Sequence, residues 1–302
     1  MSGTTSAERS MRAVGSGQRR LRIGVVIGSG GIKCTAALGL WKVLQREGIE
    51  VDVFAGCSGG AIYTALMALG DDVIECERLT LELWPALFKR LHYRSLLRIV
   101  APRVLGYRER IGLVDDRQLW STLQMMFKDR DFNEARVPLF VSATDYRTGE
   151  KVVLNEGRVC DAIRASIAIP LLLRPWPVDE RLLVDGGASN PLPVDVCIRE
   201  NCDVIFAMGF ESQMKGDVRS FVNALGRTTT IVTNHLLRST FAFYSAAHHA
   251  EVLPVMPELD RSIGLTETQH IPYLIEQGER AAEAQLPYLR RLLAASAVET
   301  LR

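Results

Sequence analysis

The chain has almost no net charge: 36 Lys/Arg face 35 Asp/Glu over 302 residues, leaving +1. That balance gives no global electrostatic reason to expect nucleic-acid binding. The six cysteines are scattered and no C-x-x-C pair occurs, which argues against a zinc site or a redox motif. Reduced thiols are expected instead, in a cytoplasmic setting. No apolar run approaches the roughly 18 residues that span a bilayer. The first twenty residues are rich in Ser, Gly and Arg and have no apolar segment of the kind a secretory leader needs. They are read as a disordered arm preceding one domain at 21–302. Internal repeats and Pro/Ser-rich linkers are also missing. The expectation is a soluble protein, at most peripheral to a membrane.

What is present is a serine between glycines. Gly56-Cys57-Ser58-Gly59-Gly60 follows the apolar run Val51–Ala55 and opens another, Ala61–Leu69. The first run reads as a strand and the second as a helix. Glycine two places before and two places after a serine, at a strand-to-helix turn, is the nucleophile-elbow pattern. Such a turn lifts the hydroxyl above the C-terminal edge of a sheet. The following helix directs its free N–H groups at the same spot.

Upstream, Leu21–Ile27 reads as a buried strand and Gly28-Ser29-Gly30-Gly31-Ile32-Lys33 as a glycine loop before a helix over about Ile32–Glu47. As a dinucleotide fingerprint the loop fails, because Lys33 stands where a glycine is required and Glu50 and Asp52 lie at the wrong end of the next strand. As a P-loop it fails because no Gly-Lys-[Ser/Thr] follows. As an oxyanion hole it fits, with N–H groups of Ser29, Gly30 and Gly31 aimed at a carbonyl oxygen taking negative charge. Lys33 either anchors the loop, assists the anion, or is a solvated helix lysine.

A third feature, Val184-Asp185-Gly186-Gly187-Ala188-Ser189-Asn190-Pro191, ends an apolar strand with an aspartate and two glycines. Asp-Gly is a common turn pair. Asp185 is equally placed to act as general base for Ser58. A triad would require a histidine. None of His92, His235, His248, His249 and His270 sits in a glycine-rich strand-end loop. The reading is a Ser–Asp dyad, with a His-dependent esterase as competitor.

Further strands are expected at Leu139–Ala143 and Lys151–Leu154, joined by the turn Arg147–Glu150 as a hairpin, then at Arg181–Val184, Val204–Met208 and Val252–Leu253. Helical patterns cover about Phe221–His249 and Glu267–Leu293.

Taken together, the three motifs resemble the patatin-like phospholipases, a family of acyl hydrolases, over about Leu21–Leu293. Ala165–Pro170 and Asn190-Pro191 look like family stretches as well. Two positions depart from the family pattern. Ser29 stands at the first of three usual glycines, and Cys34 stands where glycine follows the basic residue. The resemblance implies a three-layer α/β/α fold with a central, mostly parallel sheet. It implies Ser58 as nucleophile, Asp185 as general base, and Ser29, Gly30 and Gly31 as the oxyanion hole. Lys33, Gly56, Gly60, Gly186 and Gly187 complete the motifs. The implied reaction is hydrolysis of a phospholipid, lysophospholipid or related acyl ester through an acyl-enzyme, with no metal and no cofactor. An acyltransferase using the same intermediate, and a non-catalytic lipid- or partner-binding module, remain open, as do oligomeric state and acyl preference.

One segment stands apart in charge. Between Leu81 and Arg110, seven Lys/Arg accompany only Glu82 and Glu109, interleaved with Trp84, Phe88, Tyr93 and leucines. A basic, cap-like insertion at about 81–112 is expected. It has two readings: docking on anionic lipid, or a cap helix that packs its apolar side and solvates the other.

Overall fold

The computed structural model of the protein describes residues 20–87, 116–170, 172–213, 221–247 and 250–299. The N-terminal arm and most of the basic insertion lie outside these residues. At its centre are three strands with no exposed face: β1 (Ile23–Ile27), β2 (Val53–Cys57) and β7 (Val204–Met208), every residue of which is buried. Continuous apolar runs of this kind are what a parallel strand covered on both faces requires. The strand order is β5-β6-β3-β2-β1-β7-β8, with β4 pairing β3. The remaining strands are β3 (Leu139–Asp145), β4 (Lys151–Leu154), β5 (Trp176–Val178), β6 (Arg181–Asp185) and β8 (Glu251–Val255). Strands β3, β2, β1, β7 and β8 run parallel, whereas β4 and β6 are antiparallel to β3, and β5 to β6.

Alternation along the central strands splits the core in two. Val25, Ile27, Phe54, Phe206 and Met208 face one layer, which contains α1 (Ala37–Arg46), α2 (Gly59–Ala68), α3 (Val73–Leu87), α4 (Asp116–Phe127), α5 (Val159–Ser166) and α8 (Ile271–Glu283). Val26, Val53, Ala55, Ile205 and Ala207 face α6 (Val194–Arg199) and α7 (Phe221–Ala247). The fold is therefore a three-layer α/β/α sandwich around a mixed, mainly parallel sheet. A last helix, α9 (Leu286–Glu299), follows α8 and adds Leu289 to the first layer.

Several local expectations change. The helix after the glycine loop begins as a 3-10 turn, Gly31–Ala36, before α1. The first residues of the basic segment belong to α3, which continues to Leu87. The Glu267–Leu293 pattern divides into a 3-10 turn and two helices. Strand β5 and helices α5 and α6 are elements for which the sequence reading gives no expectation. The hairpin at Arg147–Glu150 is present between β3 and β4.

One pairing detail positions everything that follows. A strand residue has two hydrogen-bonding edges. Along β3, β4 takes one edge from Val141 to Thr144. The other edge is shared: β2 pairs with it as far as Cys57 opposite Ser142, and β6 takes over with Asp185 opposite Ala143. Strand β2 runs with β3 and β6 runs against it, so their C-terminal ends meet head-on at adjacent rungs of one strand.

Candidate active site

Ser58 sits where β2 turns into α2, with φ 55° and ψ −129°. For a non-glycine residue this backbone costs on the order of 1–3 kcal/mol and persists only where its surroundings enforce it. Here they do. The Ser58 N–H donates to Ser166 Oγ at 2.8 Å, and Ser166 Oγ donates onward to the Ser142 carbonyl at 2.6 Å. A Cβ on Gly60 would lie 2.3 Å from the Ile27 carbonyl oxygen, and one on Gly56 would lie 2.2 Å from Thr64 Oγ1. The flanking glycines therefore let α2 press against the end of β1. Helix α2 is buried throughout, with no side-chain cap and no acidic residue in its first turn. Its positive end is left facing the Ser58 region.

Asp185, the last residue of β6, is the partner. Ser58 Oγ donates to Asp185 Oδ2 at 2.6 Å, across 127 positions of sequence. The aspartate is fixed from every side. Its N–H donates to the Ala168 carbonyl at 3.0 Å. Its carbonyl accepts from Thr144 Oγ1 at 3.0 Å, and its Oδ1 accepts from the Gly187 N–H at 2.7 Å. A Cβ on Gly186 would stand 2.4 Å from the Ser142 carbonyl oxygen, so only glycine lets the chain leave β6 at this point. Burial pushes the Asp185 carboxyl up to about 6, against the opposing pull of the hydrogen bonds from Ser58 and Gly187.

The glycine loop closes the third side. A Cβ on Gly59 would lie 2.6 Å from the Gly31 carbonyl oxygen, so the loop lies directly against the start of α2. Gly31 adopts φ +58°, in the left-handed region that favours glycine, whereas Gly30, at φ −175°, is extended. Among the described residues, the N–H groups of Gly30 and Gly31 hydrogen-bond to no acceptor. Ser29 differs, and here the expectation is corrected: its N–H donates to the Pro191 carbonyl at 2.7 Å and is not free for an oxyanion. Of the three roles open to Lys33, the structure gives it the anchor. The side chain is buried and its Nζ donates to Ser212 Oγ at 2.6 Å and to the Glu211 carbonyl at 3.4 Å. Cys34 lies beneath the loop, its Sγ 3.3 Å from the Gly28 carbonyl oxygen, and burial raises its thiol pKa well above the ordinary range.

Two groups were not evident from sequence. Ser166, at the end of α5, supports the Ser58 backbone; its stretch carries only the family likeness. Pro191 holds Ser29 through a carbonyl that no sequence pattern announces. The described histidines play no part at this site. His235 is exposed on α7, His270 precedes α8, and neither hydrogen-bonds to Ser58 or Asp185. His92, His248 and His249 lie outside the described residues, as does the region of the basic insertion beyond Leu87. Among the described residues no cluster of His, Cys, Asp and Glu could hold a metal ion, and no helix is long and apolar enough to cross a membrane.

Comparison with known proteins bears on the family and the fold. An uncharacterised NTE family protein of Mycobacterium tuberculosis is 28% identical over 241 residues, covering 80% of this chain and 62% of that protein. This chain thus spans less than two thirds of that relative's length. A second M. tuberculosis NTE family protein is 31% identical over 184 residues, covering 61% of this chain and 29% of its own length. Rat patatin-like phospholipase domain-containing protein 7 is 27% identical over 205 residues, covering 67% of this chain and 14% of that one. Human GIVD cytosolic phospholipase A2, solved in complex with methyl gamma-linolenyl fluorophosphonate, superposes with a TM-score of 0.51 at 14% identity, covering 93% of this chain and 59% of that one. At such identity the likeness concerns the fold. Residues 25–198, which hold the end of β1, the glycine loop, Ser58 and Asp185, match the patatin-like phospholipase family, and the chain belongs to that family.

Proposed function

We propose that the protein is a serine lipid acyl hydrolase that works through a Ser58–Asp185 dyad. The observation that carries this reading is the 2.6 Å hydrogen bond from a backbone-strained serine to a buried carboxylate. With a carboxyl pKa of about 6, Asp185 is ionised at neutral pH yet more basic than an ordinary aspartate. It therefore takes the Ser58 proton as the oxygen attacks an ester carbonyl. Negative charge develops on the carbonyl oxygen. The N–H groups of Gly30 and Gly31, with the first N–H groups of α2, are placed to receive it; each such donor is typically worth ~3 kcal/mol in the transition state. Collapse expels the alcohol, which leaves with the proton held by Asp185. Water then enters and gives a proton to Asp185 as it attacks the acyl-Ser58 ester; collapse releases the carboxylic acid, and Asp185 returns that proton to the departing Ser58 Oγ, restoring the starting pair. Oxygen lone pairs and protons balance without a further group.

Family membership favours lipid acyl esters, phospholipid or lysophospholipid, as substrates. The basic, aromatic sequence between Leu81 and Arg110 is the proposed contact with an anionic membrane surface. The deciding test is labelling with a fluorophosphonate, combined with mass spectrometry of products from a mixed lipid extract. Wild type is expected to take the label on Ser58 and release fatty acid; Ser58→Ala is expected to do neither. Labelling that survives in Ser58→Ala, or an unchanged lipid extract with wild type, would overturn the assignment.

A further inference from the structure

Lys33 is only 7% exposed, and burial lowers its pKa to about 8. Among the described residues no carboxylate forms an ion pair with it; its partners are a hydroxyl and a carbonyl, both neutral. The acids nearby are already engaged. Glu211 is held by both arms of Arg238 at 2.8 and 2.7 Å, and Asp260 by Arg261 at 2.6 and 2.9 Å. An ammonium removed from water without a counter-charge is costly by several kcal/mol. An anion is the natural group to offset that cost.

A space for one exists beside it. The residues lining a cleft of about 30 Å³ include Lys33, Ser212, Gln213, Arg261 and Ser262, and also Glu211, whose carboxylate is neutralised by Arg238. A single water needs roughly 10–15 Å³ measured the same way, so the cleft accepts the oxygens of one phosphate rather than a whole lipid head. Donors line it: the Lys33 ammonium, two serine hydroxyls and the Arg261 guanidinium, while the Gln213 amide already donates to the Leu259 carbonyl at 2.8 Å. Arg261 is fixed over the Tyr273 ring at 4.9 Å. Its Nε and Nη2 serve Asp260, and its Nη1 has no partner among the described residues. A planar guanidinium, an ammonium and hydroxyls together suit the several oxygens of a tetrahedral oxyanion.

We propose that this cleft is a phosphate-binding site, separate from the Ser58–Asp185 pair, in which Lys33 and Arg261 hold the oxyanion. Lys33 belongs to the same 3-10 turn as Gly31, and its N–H donates to the Gly30 carbonyl at 3.2 Å. An occupied cleft therefore fixes the glycine loop through Lys33. The ligand chemistry is shared by free phosphate and by the phosphate of a lipid headgroup.

The test is calorimetric titration of Ser58→Ala protein, in which turnover is removed, with inorganic phosphate and separately with glycerophosphocholine. Saturable binding of at least one is expected, weakened at least tenfold by Lys33→Gln and by Arg261→Gln, and unchanged by Arg199→Gln on α6. Preference for inorganic phosphate names a free anion as the ligand, and preference for the diester names a headgroup. Absence of saturable binding to both overturns the proposal, as does binding that Arg261→Gln leaves intact. Arg261 lies at the exposed mouth, so its variant keeps the test valid if Lys33→Gln fails to fold. Fluorophosphonate labelling of each variant restored to Ser58 reports on the dyad separately.

Discussion

The turn at Ser58 and the loop at Gly28–Cys34 face each other, yet they are held by different means. The turn is set by backbone. Its glycines abut the Ile27 carbonyl and the Ala61 main chain, and the Ser58 N–H is tied to β3 through Ser166. The loop is set by remote partners. Gly28 donates to the Met208 carbonyl, Ser29 to that of Pro191, and Lys33 reaches Ser212. The first arrangement is stiff because close backbone contacts have no rotamer to change. The second is adjustable, since each tether belongs to a separate segment. In a mechanism that needs a fixed nucleophile and an accommodating anion site, that division of rigidity is appropriate.

The strongest way to break the pairing is Asp185→Asn. Turnover of a short-chain ester is expected to fall by about four orders of magnitude, as when a member of a catalytic group that acts as a unit is removed. The stability effect has the opposite sign. Between the ordinary aspartate value of 3.8 and about 6, the folded protein holds a proton that the unfolded chain has released. Stability from this group is therefore present at low pH and lost as pH rises through about 6. Asparagine cannot ionise, so the inactive variant is expected to be more stable at pH 7, by up to ~2–3 kcal/mol, as read by chemical denaturation. Wild-type kcat/KM should decline below about pH 6, when Asp185 takes up a proton. A flat profile from pH 5 to 8 would remove Asp185 as the base.

Glycine substitutions compare the two regions directly. Gly60→Ala places a Cβ against the Ile27 and Gly28 carbonyl oxygens, at 2.3 and 2.6 Å, where only backbone can yield. A loss of about 3 kcal/mol or more, or failure to fold, is expected. Gly30→Ala meets the Phe210 ring at 2.5 Å, and its φ of −175° suits any residue. Here the ring can shift, and a loss of only ~1–2 kcal/mol is expected, with turnover suffering more than the melting temperature. Equal destabilisation by both would erase the distinction between the two regions.

Ser166→Ala leaves the Ser58 N–H and the Ser142 carbonyl without their shared hydroxyl. That predicts a cost of about 1–3 kcal/mol in thermal unfolding, with a roughly tenfold fall in kcat and little change in KM. The smallest effect is expected at Ser29. Its hydroxyl is buried and has no hydrogen-bond partner among the described residues, whereas its N–H, which does the anchoring, survives substitution. Ser29→Ala should change stability by less than about 0.5 kcal/mol. A large loss there would show that the hydroxyl has a role the geometry does not give it.

The two regions were also legible in the sequence to different degrees. Ser58 could be read because its requirements are local: an apolar strand, small neighbours and an apolar helix all occur within a few positions. The central strands could be read for the same reason, since burial on both faces leaves unbroken apolar runs. Asp185 was readable as a strand-end carboxylate, but its route to Ser58 was not. That route depends on β6 running against β3 and continuing the edge that β2 leaves, a pairing that no spacing encodes. The Ser29 N–H could not be assigned either, because its acceptor, Pro191, is distant in sequence and acts through its carbonyl. For Lys33 the sequence allows loop anchor, anion partner or solvated helix lysine, and only its burial beside Ser212 gives the anchor. Helix α5 carries an amphipathic pattern over only eight residues, about two turns, and its start at Arg158-Val159 has no side-chain cap to mark it.

The head-on meeting of β2 and β6 has a consequence for synthesis. The serine leaves the ribosome first, and 127 positions separate it from the aspartate that completes the pair. At ordinary elongation rates of ~5–20 residues per second, that interval lasts roughly 6–25 seconds. Throughout it the nascent chain carries Ser58 without its hydrogen-bond partner Asp185, so an unfinished polypeptide holds no assembled Ser58–Asp185 pair. The order of the segments along the chain makes the arrival of β6, with β7 and β8 still to be made, the step that brings Asp185 to Ser58.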